Sequence, residues 1–279
     1  MFETFDWIAR EKEHYMGRPK KHIIPYSGDR EQMEKVFQEY LECIVDCFGA
    51  AYDDREETND NASLRSVCEE FGISIPKARK LLITAGVYST DASRRVAELS
   101  AAGKNLEEIM AETGLSRSSV SSYLPYQKVP YNLAEASHHA ADSRRYRGRK
   151  KAVQQLHEEI HAEGDAENAL WQAVIAYQGY PFHTSSGLPF SYTVWQKKNG
   201  ECSGELLISR KESSKTLTKS TVLLALQRVL DHSDPEPPLY AGPKAIGQIF
   251  GISYIYSLFW KWNLIRVPEM VEKKLRGKS

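Results

Sequence analysis

Residues 117–122, RSSVSS, combine one arginine with four serines around a single valine. Guanidinium and hydroxyl groups hydrogen-bond to phosphate oxygens and to the edges of bases, so these side chains are suited to contact with DNA. The predicted contact residues are Arg117, Ser118, Ser119, Ser121 and Ser122, and a second, more basic set comprises Lys77, Arg79 and Lys80. We predict that Arg117 and Ser118 read bases at one position, and Lys77 and Arg79 at another.

A dense run of positive charge follows at residues 144–151. Its cations are Arg144, Arg145, Arg147, Arg149, Lys150 and Lys151. Such a density of charge on a helix attracts a nucleic-acid backbone, because each neutralised phosphate releases condensed counterions. The run therefore predicts a phosphate-binding surface, and a solvated linker helix is the alternative.

A third pattern, HEEIH at residues 157–161, matches the HExxH signature. In that signature His157 and His161, one helical turn apart, would hold zinc, and Glu158 would act as general base. Gly164 and Glu167 extend the pattern so that it resembles a metzincin site, although the third ligand there is normally His or Asp. No strand-forming segment precedes the helix to provide a substrate-binding edge. We favour surface histidines on a charged helix and keep a zinc metalloprotease regulator as an alternative.

Two short helices joined by a glycine turn must position residues 117–122. Within residues 106–124, apolar side chains recur at helical spacing on both sides of Gly114, which supplies the turn. Ser116 is placed to cap the second helix. The exposed side of that helix then carries the arginine and the serines.

The same arrangement occurs earlier, at residues 64–82. A shift of 42 residues aligns Gly72 with Gly114 and makes Ser74 the cap of the second helix. The outer side of this helix is the more basic of the two. A helical repeat that serves packing alone is the alternative.

The two-helix pattern resembles the helix-turn-helix of bacterial repressors, resolvases and sigma-like factors. That resemblance implies a mode of DNA binding, in which the second helix enters the major groove, and it names no target. Met110 departs from the family pattern, which usually has Ala or Gly there for close crossing of the helices.

Composition limits where affinity for nucleic acid can arise. The net charge is +0 and the pI is about 7.1, so binding must come from local basic patches. No signal peptide or membrane span is evident, which predicts a cytoplasmic protein without membrane association. The four cysteines contain no CxxC pair and are predicted to be reduced core thiols.

Residues 1–28 are predicted to form a basic flexible arm. Gly17, Arg18 and Pro19 resemble the core of an AT-hook, in which Arg18 would lie in the minor groove of A·T-rich DNA. Met16 replaces the arginine that usually precedes this core. A basic tail without a role in DNA binding is the alternative.

The remaining chain divides into three predicted parts. These are a tandem helix-turn-helix domain at 29–133, a basic linker helix at 134–167 and a small C-terminal α+β domain at 168–279, with about three antiparallel strands. The predicted fold class is therefore α+β, mainly α. The C-terminal part resembles a region that recurs in uncharacterised Gram-positive proteins, and this resemblance implies no activity.

The sequence as a whole predicts a sequence-specific DNA-binding protein, a transcriptional regulator of a bacterium or mobile element. Its partner would be double-stranded DNA, with the two units in successive major grooves and the basic run on phosphates. RNA polymerase, or self-association through a helix at 29–50, is left open. No cofactor and no catalytic residue are predicted. A helical adaptor without affinity for DNA is a further alternative.

Overall fold

A computed structural model describes residues 30–53, 60–127, 133–196, 202–209, 214–231 and 236–277. The helices are α1 (Arg30–Asp53), α2 (Asp60–Phe71), α3 (Ile75–Thr84), α4 (Asp91–Ala101), α5 (Leu106–Thr113), α6 (Arg117–Tyr123), α7 (Leu133–His161), α8 (Ala166–Ala176), α9 (Lys219–Leu230), α10 (Ile252–Lys261) and α11 (Glu269–Leu275). The strands are β1 (Phe182–His183), β2 (Pro189–Gln196), β3 (Cys202–Ser209) and β4 (Ser214–Thr218). The predicted class, α+β and mainly α, is confirmed.

Helices α1, α2 and α3 form the first helical unit around a core that includes Tyr40, Ile44 and Leu81. The predicted turn between α2 and α3 is present, with Gly72 at a φ of 62°, a conformation that glycine adopts without steric cost. Ser74 occupies the N-cap of α3, but its side chain makes no capping hydrogen bond. The predicted cap is therefore wrong in its chemistry, although it is right in its position.

Helices α4, α5 and α6 form the second unit around Val96, Leu99, Ile109 and Val120. Gly114 ends α5 in the left-handed region, with a φ of 67°, as the repeat predicts. The Ser116 hydroxyl accepts a hydrogen bond from the backbone N–H of Ser119 at 3.2 Å, so the predicted cap of α6 is confirmed. In each unit, one helix therefore precedes the two helices that are joined at a glycine.

Helix α7 joins the units to the C-terminal region. Its 29 residues span about 43 Å at 1.5 Å per residue. The helix packs against α1 near its beginning and against α8 near its end. Tyr146 accordingly belongs to the core of the first unit, whereas Leu156 belongs to the C-terminal core.

The C-terminal region contains an antiparallel sheet in the order β1-β2-β3-β4. The inward side chains alternate with outward ones, and Tyr192 lies opposite Ile208 while Leu206 lies opposite Leu217. Helices α8, α9 and α10 contribute to the core on this face. Strand β4 and helix α11 were not predicted, so the sheet has one more described strand than the sequence indicated.

Two further predictions concern reduced cysteines and the lack of a membrane span. All four cysteines are free, and Cys43 and Cys47 are buried in the first unit. Burial raises the pKa of the Cys47 thiol to about 12, which keeps it protonated at neutral pH. Among the described helices, none is both long and apolar enough to span a membrane.

Candidate nucleic-acid interface

The exposed face of α6 carries part of the predicted reading set. Arg117, Ser118 and Ser121 are exposed, and Ser119 is half-buried. Ser122 is buried, and its hydroxyl donates to the Ser119 carbonyl at 2.8 Å. The prediction that Ser122 lies on the solvent side of α6 is therefore wrong, because this side chain faces α3.

The second helices of the two units pack directly against each other. The Nη1 group of Arg79 donates to the Ser122 hydroxyl at 3.3 Å, and the Arg79 guanidinium lies 4.7 Å from the centre of the Tyr123 ring. The Lys80 ammonium donates to the Ser121 carbonyl at 3.1 Å. Arg79 and Lys80 thus help to join the two units.

This contact changes the predicted mode of binding. Helices in side-chain contact have axes about 8–10 Å apart, whereas equivalent positions in successive major grooves of B-DNA are separated by about 34 Å. Helices α3 and α6 therefore cannot occupy successive grooves while they remain packed together. They form one packed pair of helices, here called the α3/α6 ridge, whose exposed polar residues include Lys77, Arg117, Ser118 and Ser121.

Arg117 differs from the other cations of the second unit. Arg94 pairs with Asp91, and Arg95 and Lys104 both pair with Glu112. Arg117 forms no ion pair with any residue that the structure describes. Its guanidinium is consequently available to an external acceptor, which is the property required for contact with a base or a phosphate.

The basic run on α7 is largely paired with acidic side chains of other helices. Arg147 lies 3.4 Å from Glu39 and 3.7 Å from Glu42, both on α1. Lys150 lies 2.8 Å from Asp46, also on α1. These pairs hold α7 against the first unit and reduce the positive field that the run presents to solvent.

Among the described residues, Arg144, Arg145 and Lys151 form no ion pair with another helix. Arg145 pairs with Asp142 on the same helix, and the Arg144 Nε group donates to the Ala140 carbonyl at 3.2 Å. Lys151 is exposed and forms no ion pair within the described part of the chain. Arg144 and Lys151 are therefore the cations of the run that are most open to a phosphate.

The predicted phosphate contact of Arg149 is wrong. Its side chain is 8% exposed and forms an ion pair of 2.7 Å with Glu70, which is 7% exposed. The guanidinium also lies 5.2 Å from the centre of the Tyr180 ring, in the C-terminal region. Arg149 thus joins α2, α7 and the C-terminal core, and it cannot contact a phosphate on an outer surface.

Asp46 is the acceptor for two residues of α7. It accepts hydrogen bonds from the Lys150 ammonium at 2.8 Å and from the Tyr146 hydroxyl at 2.7 Å. Partial burial alone would raise the pKa of Asp46, but these two donors outweigh burial and lower it. Burial and the hydrogen bond to Asp46 together raise the pKa of Tyr146 above its usual value. The tyrosine therefore remains a donor at neutral pH.

Two residues of the HExxH segment, His157 and Glu159, contact the backbone of other segments. The Nε2 atom of His157 lies 2.7 Å from the Trp262 carbonyl oxygen, and Glu159 accepts a hydrogen bond from the Asp165 N–H at 2.9 Å. His161 is exposed. Across the described ranges, no group of three His, Cys, Asp or Glu side chains is arranged to hold a metal ion. The metalloprotease alternative therefore has no described zinc site to support it.

A cavity of about 690 Å³ lies where α1, α2 and α7 meet the C-terminal region. Its cationic lining residues are Arg149, Lys150, Lys261, Arg266 and Arg276. Three of these follow the last predicted strand and were not assigned a role from the sequence. The five cations are far apart in the sequence, so their cluster cannot be recognised from it. Only the neighbouring aromatic and basic residues at 260–266 would have indicated the cavity.

Arg18 lies outside the described residues, as does the rest of the predicted arm at 1–28. The ridge is therefore defined by α3 and α6 alone. Comparisons with protein-family models, with curated proteins and with solved structures found no match to this chain.

Proposed function

We propose that the protein binds double-stranded DNA through the α3/α6 ridge and acts as a sequence-specific transcriptional regulator. The observation that supports this most is Arg117, which is exposed and makes no ion pair with a described residue, in a unit whose other described cations are paired. An arginine in this state is suited to a bidentate contact with the O6 and N7 atoms of guanine.

The ridge offers small polar groups beside this arginine. Ser118 and Ser121 are exposed on the same helix, and serine hydroxyls bond to phosphates or to base edges. Lys77, at the beginning of α3, adds an exposed ammonium to the ridge. The proposed reading surface thus combines two cations with two short donors.

The proposed affinity depends only modestly on salt, because few cations are available. Besides Arg117, which is assigned to a base, Lys77, Arg144 and Lys151 are exposed, and each phosphate that they neutralise contributes about −0.9 to the slope of log K against log salt concentration. Three such contacts would give a slope of about −2.7. A regulator with this few phosphate contacts requires base contacts for useful affinity.

The test begins with selection of bound duplexes from a random DNA library by the full chain, followed by titration of the selected duplex. Arg117→Ala is compared with Arg94→Ala, which removes the same charge from an exposed arginine that is paired with Asp91. Loss of a base contact by Arg117→Ala is expected to weaken binding by about 1–3 kcal/mol, or roughly 5- to 150-fold. Arg94→Ala should change affinity by less than about twofold.

Two results would contradict the proposal. Equal affinity losses in the two variants would show that only net charge matters. No salt-dependent retention of any duplex by the unsubstituted chain would instead favour a helical adaptor without DNA affinity.

A further inference from the structure

The cavity between the first helical unit and the C-terminal region has the size of a small-molecule site. Its volume of about 690 Å³ falls within the range of about 300–1,000 Å³ that is usual for ligand pockets. Apolar walls come from Val153, Trp260, Ile265 and Val267, beside the five cations. The lining therefore combines an apolar surface with strong positive charge.

Three of the cations have an acid of their own. Lys150 pairs with Asp46, Arg266 with Glu236 and Arg276 with Glu272. Each of these pairs is close to neutral as a unit. Excess positive charge is therefore confined to the part of the cavity around Arg149 and Lys261.

Of the other two cations, only Arg149 forms an ion pair with a described residue. Glu70 lies 2.7 Å from Arg149 in a buried ion pair, and the same carboxylate interacts electrostatically with Lys261. The Lys261 ammonium also lies 5.0 Å from the centre of the Tyr180 ring. This corner of the cavity thus holds two positive charges against one negative charge.

Excess charge in such a place has an energetic consequence. Removing a cation from water is costly unless an anion or an equivalent set of acceptors replaces the solvent. Burial would lower the pKa of Lys261, but the neighbouring Tyr180 and Glu70 outweigh burial and raise it, so the side chain keeps its proton. Lys261 is half-buried, so water reaches its ammonium, and an anion that replaced this water would meet one uncompensated positive charge beside the Arg149–Glu70 pair.

We propose that this cavity binds a small organic anion, with a phosphate or carboxylate group between Arg149 and Lys261 and an apolar or aromatic body against Trp260. Guanidinium and ammonium groups recognise either anion, the former in a bidentate manner. The bound anion competes with Glu70 for the two cations. Because Glu70 belongs to α2, the first helix of the first helix-turn-helix pair, occupancy changes the contacts of the unit that carries the ridge.

Binding by the cavity is independent of the proposed function, whereas its role as an effector site rests on it. The first experiment titrates the full chain with phenyl phosphate, benzoate, adenosine 5′-monophosphate and inorganic phosphate, using calorimetry. Benzyl alcohol and adenosine are the neutral controls. Saturable binding of at least one aromatic anion, without binding of the neutral compounds, is the expected result, and the preferred probe distinguishes phosphate from carboxylate.

Variants then locate the site. Lys261→Met is expected to weaken binding of the preferred anion at least about tenfold, and Glu70→Gln is expected to strengthen it, because the competing carboxylate is removed. Lys219→Met is the matched control, since Lys219 is also placed over an aromatic ring, that of Trp171, but does not line the cavity. If Lys261→Met or Glu70→Gln fails to fold, Trp260→Leu, at a half-buried residue of the cavity wall, should still weaken binding of the preferred aromatic anion, and unchanged binding in that variant would refute the site.

Specific outcomes overturn the inference. No saturable binding of any of the four anions, or identical affinities in Glu70→Gln and the unsubstituted chain, would refute the site. DNA retention is measured separately, with and without the preferred anion. Anion binding without any DNA retention would refute the proposed function and leave the site intact, whereas DNA binding that is unchanged by a saturating anion would refute the effector role.

Discussion

Replacing Arg149 by methionine removes the cation from an ion pair that is almost completely buried. The Arg149 and Glu70 side chains are 8% and 7% exposed, and two nitrogens of the guanidinium contact the same Oε1 atom of Glu70, at 2.7 and 2.9 Å. Methionine retains much of the apolar length of arginine. The substitution therefore tests the charge more than the volume.

Removal of Arg149 and removal of Glu70 should lower the free energy of unfolding by different amounts. Removal of one member of a buried pair costs about 3–5 kcal/mol of stability, because the remaining charge is left uncompensated. After Arg149→Met, Glu70 still interacts with Lys261, so we expect a cost near the lower limit, about 3 kcal/mol. After Glu70→Gln, the buried Arg149 guanidinium has no carboxylate partner, and the Lys261 ammonium lies near the same Tyr180 ring, so we expect a cost near the upper limit, about 5 kcal/mol.

Urea unfolding of the full chain at neutral pH, followed by far-UV circular dichroism, measures both costs. The matched control is Arg147→Met, whose ion pair with Glu39 has side chains 51% and 40% exposed and should contribute less than about 1 kcal/mol. In the double variant of Arg149 and Glu70, the costs should not add, since each change removes the partner of the other. The reasoning fails if Arg149→Met costs no more than Arg147→Met, or if Glu70→Gln costs less than Arg149→Met.

Two further predictions concern the helical units. His139 is buried and stacks on Tyr40, with ring centres 4.3 Å apart, and burial lowers its pKa from 6.5. The unfolded chain therefore binds the proton at a higher pH than the folded protein, and the free energy of unfolding should fall as pH drops below about 6.5. Urea unfolding at several pH values should show a less steep fall in His139→Gln. Thr90→Ala removes a capping hydrogen bond to the Ser93 N–H and should cost about 1 kcal/mol, whereas Ser74→Ala, at an N-cap without such a bond, should cost little in the same assay; equal costs would contradict the capping argument.

Features that depend on nearby residues could be predicted from the sequence. The glycine turns at Gly72 and Gly114 and the cap at Ser116 each follow from two or three neighbouring residues, and all three are present. In these places local propensity and tertiary packing favour the same conformation.

Strand β4 was missed because its local signal is weak. The strand SKTLT contains one apolar residue among small and polar ones, which is equally typical of a turn. Its place in the sheet depends on Leu217, which lies opposite Leu206 and is 2% exposed. Pairing with β3 thus decides the conformation, and a window of five residues contains no information about that partner.

The basic run on α7 shows the same limit at the level of the site. Its charge is evident from the sequence, but charge alone does not distinguish a phosphate from a carboxylate on another helix. Glu39, Glu42 and Asp46 lie on α1 at spacings of three and four residues, which places them on one helix face. Such an acidic stripe, about a hundred residues before a basic run, was the available signal that the two helices pair.

The ion pairs between α7 and α1 also affect how strongly the protein would attract a phosphate, and therefore how the ridge would distinguish one duplex from another. A phosphate that approaches Arg147 must displace Glu39 and Glu42, so it gains little beyond what the carboxylates already supply. The electrostatic attraction that drives non-specific binding is correspondingly small. Affinity for any duplex then depends mainly on the few groups without internal acceptors, and among the described residues of the second unit the cation in that state is Arg117. If the ridge binds DNA as proposed, discrimination between sequences would have to come from base contacts, and non-specific duplexes would be held only weakly.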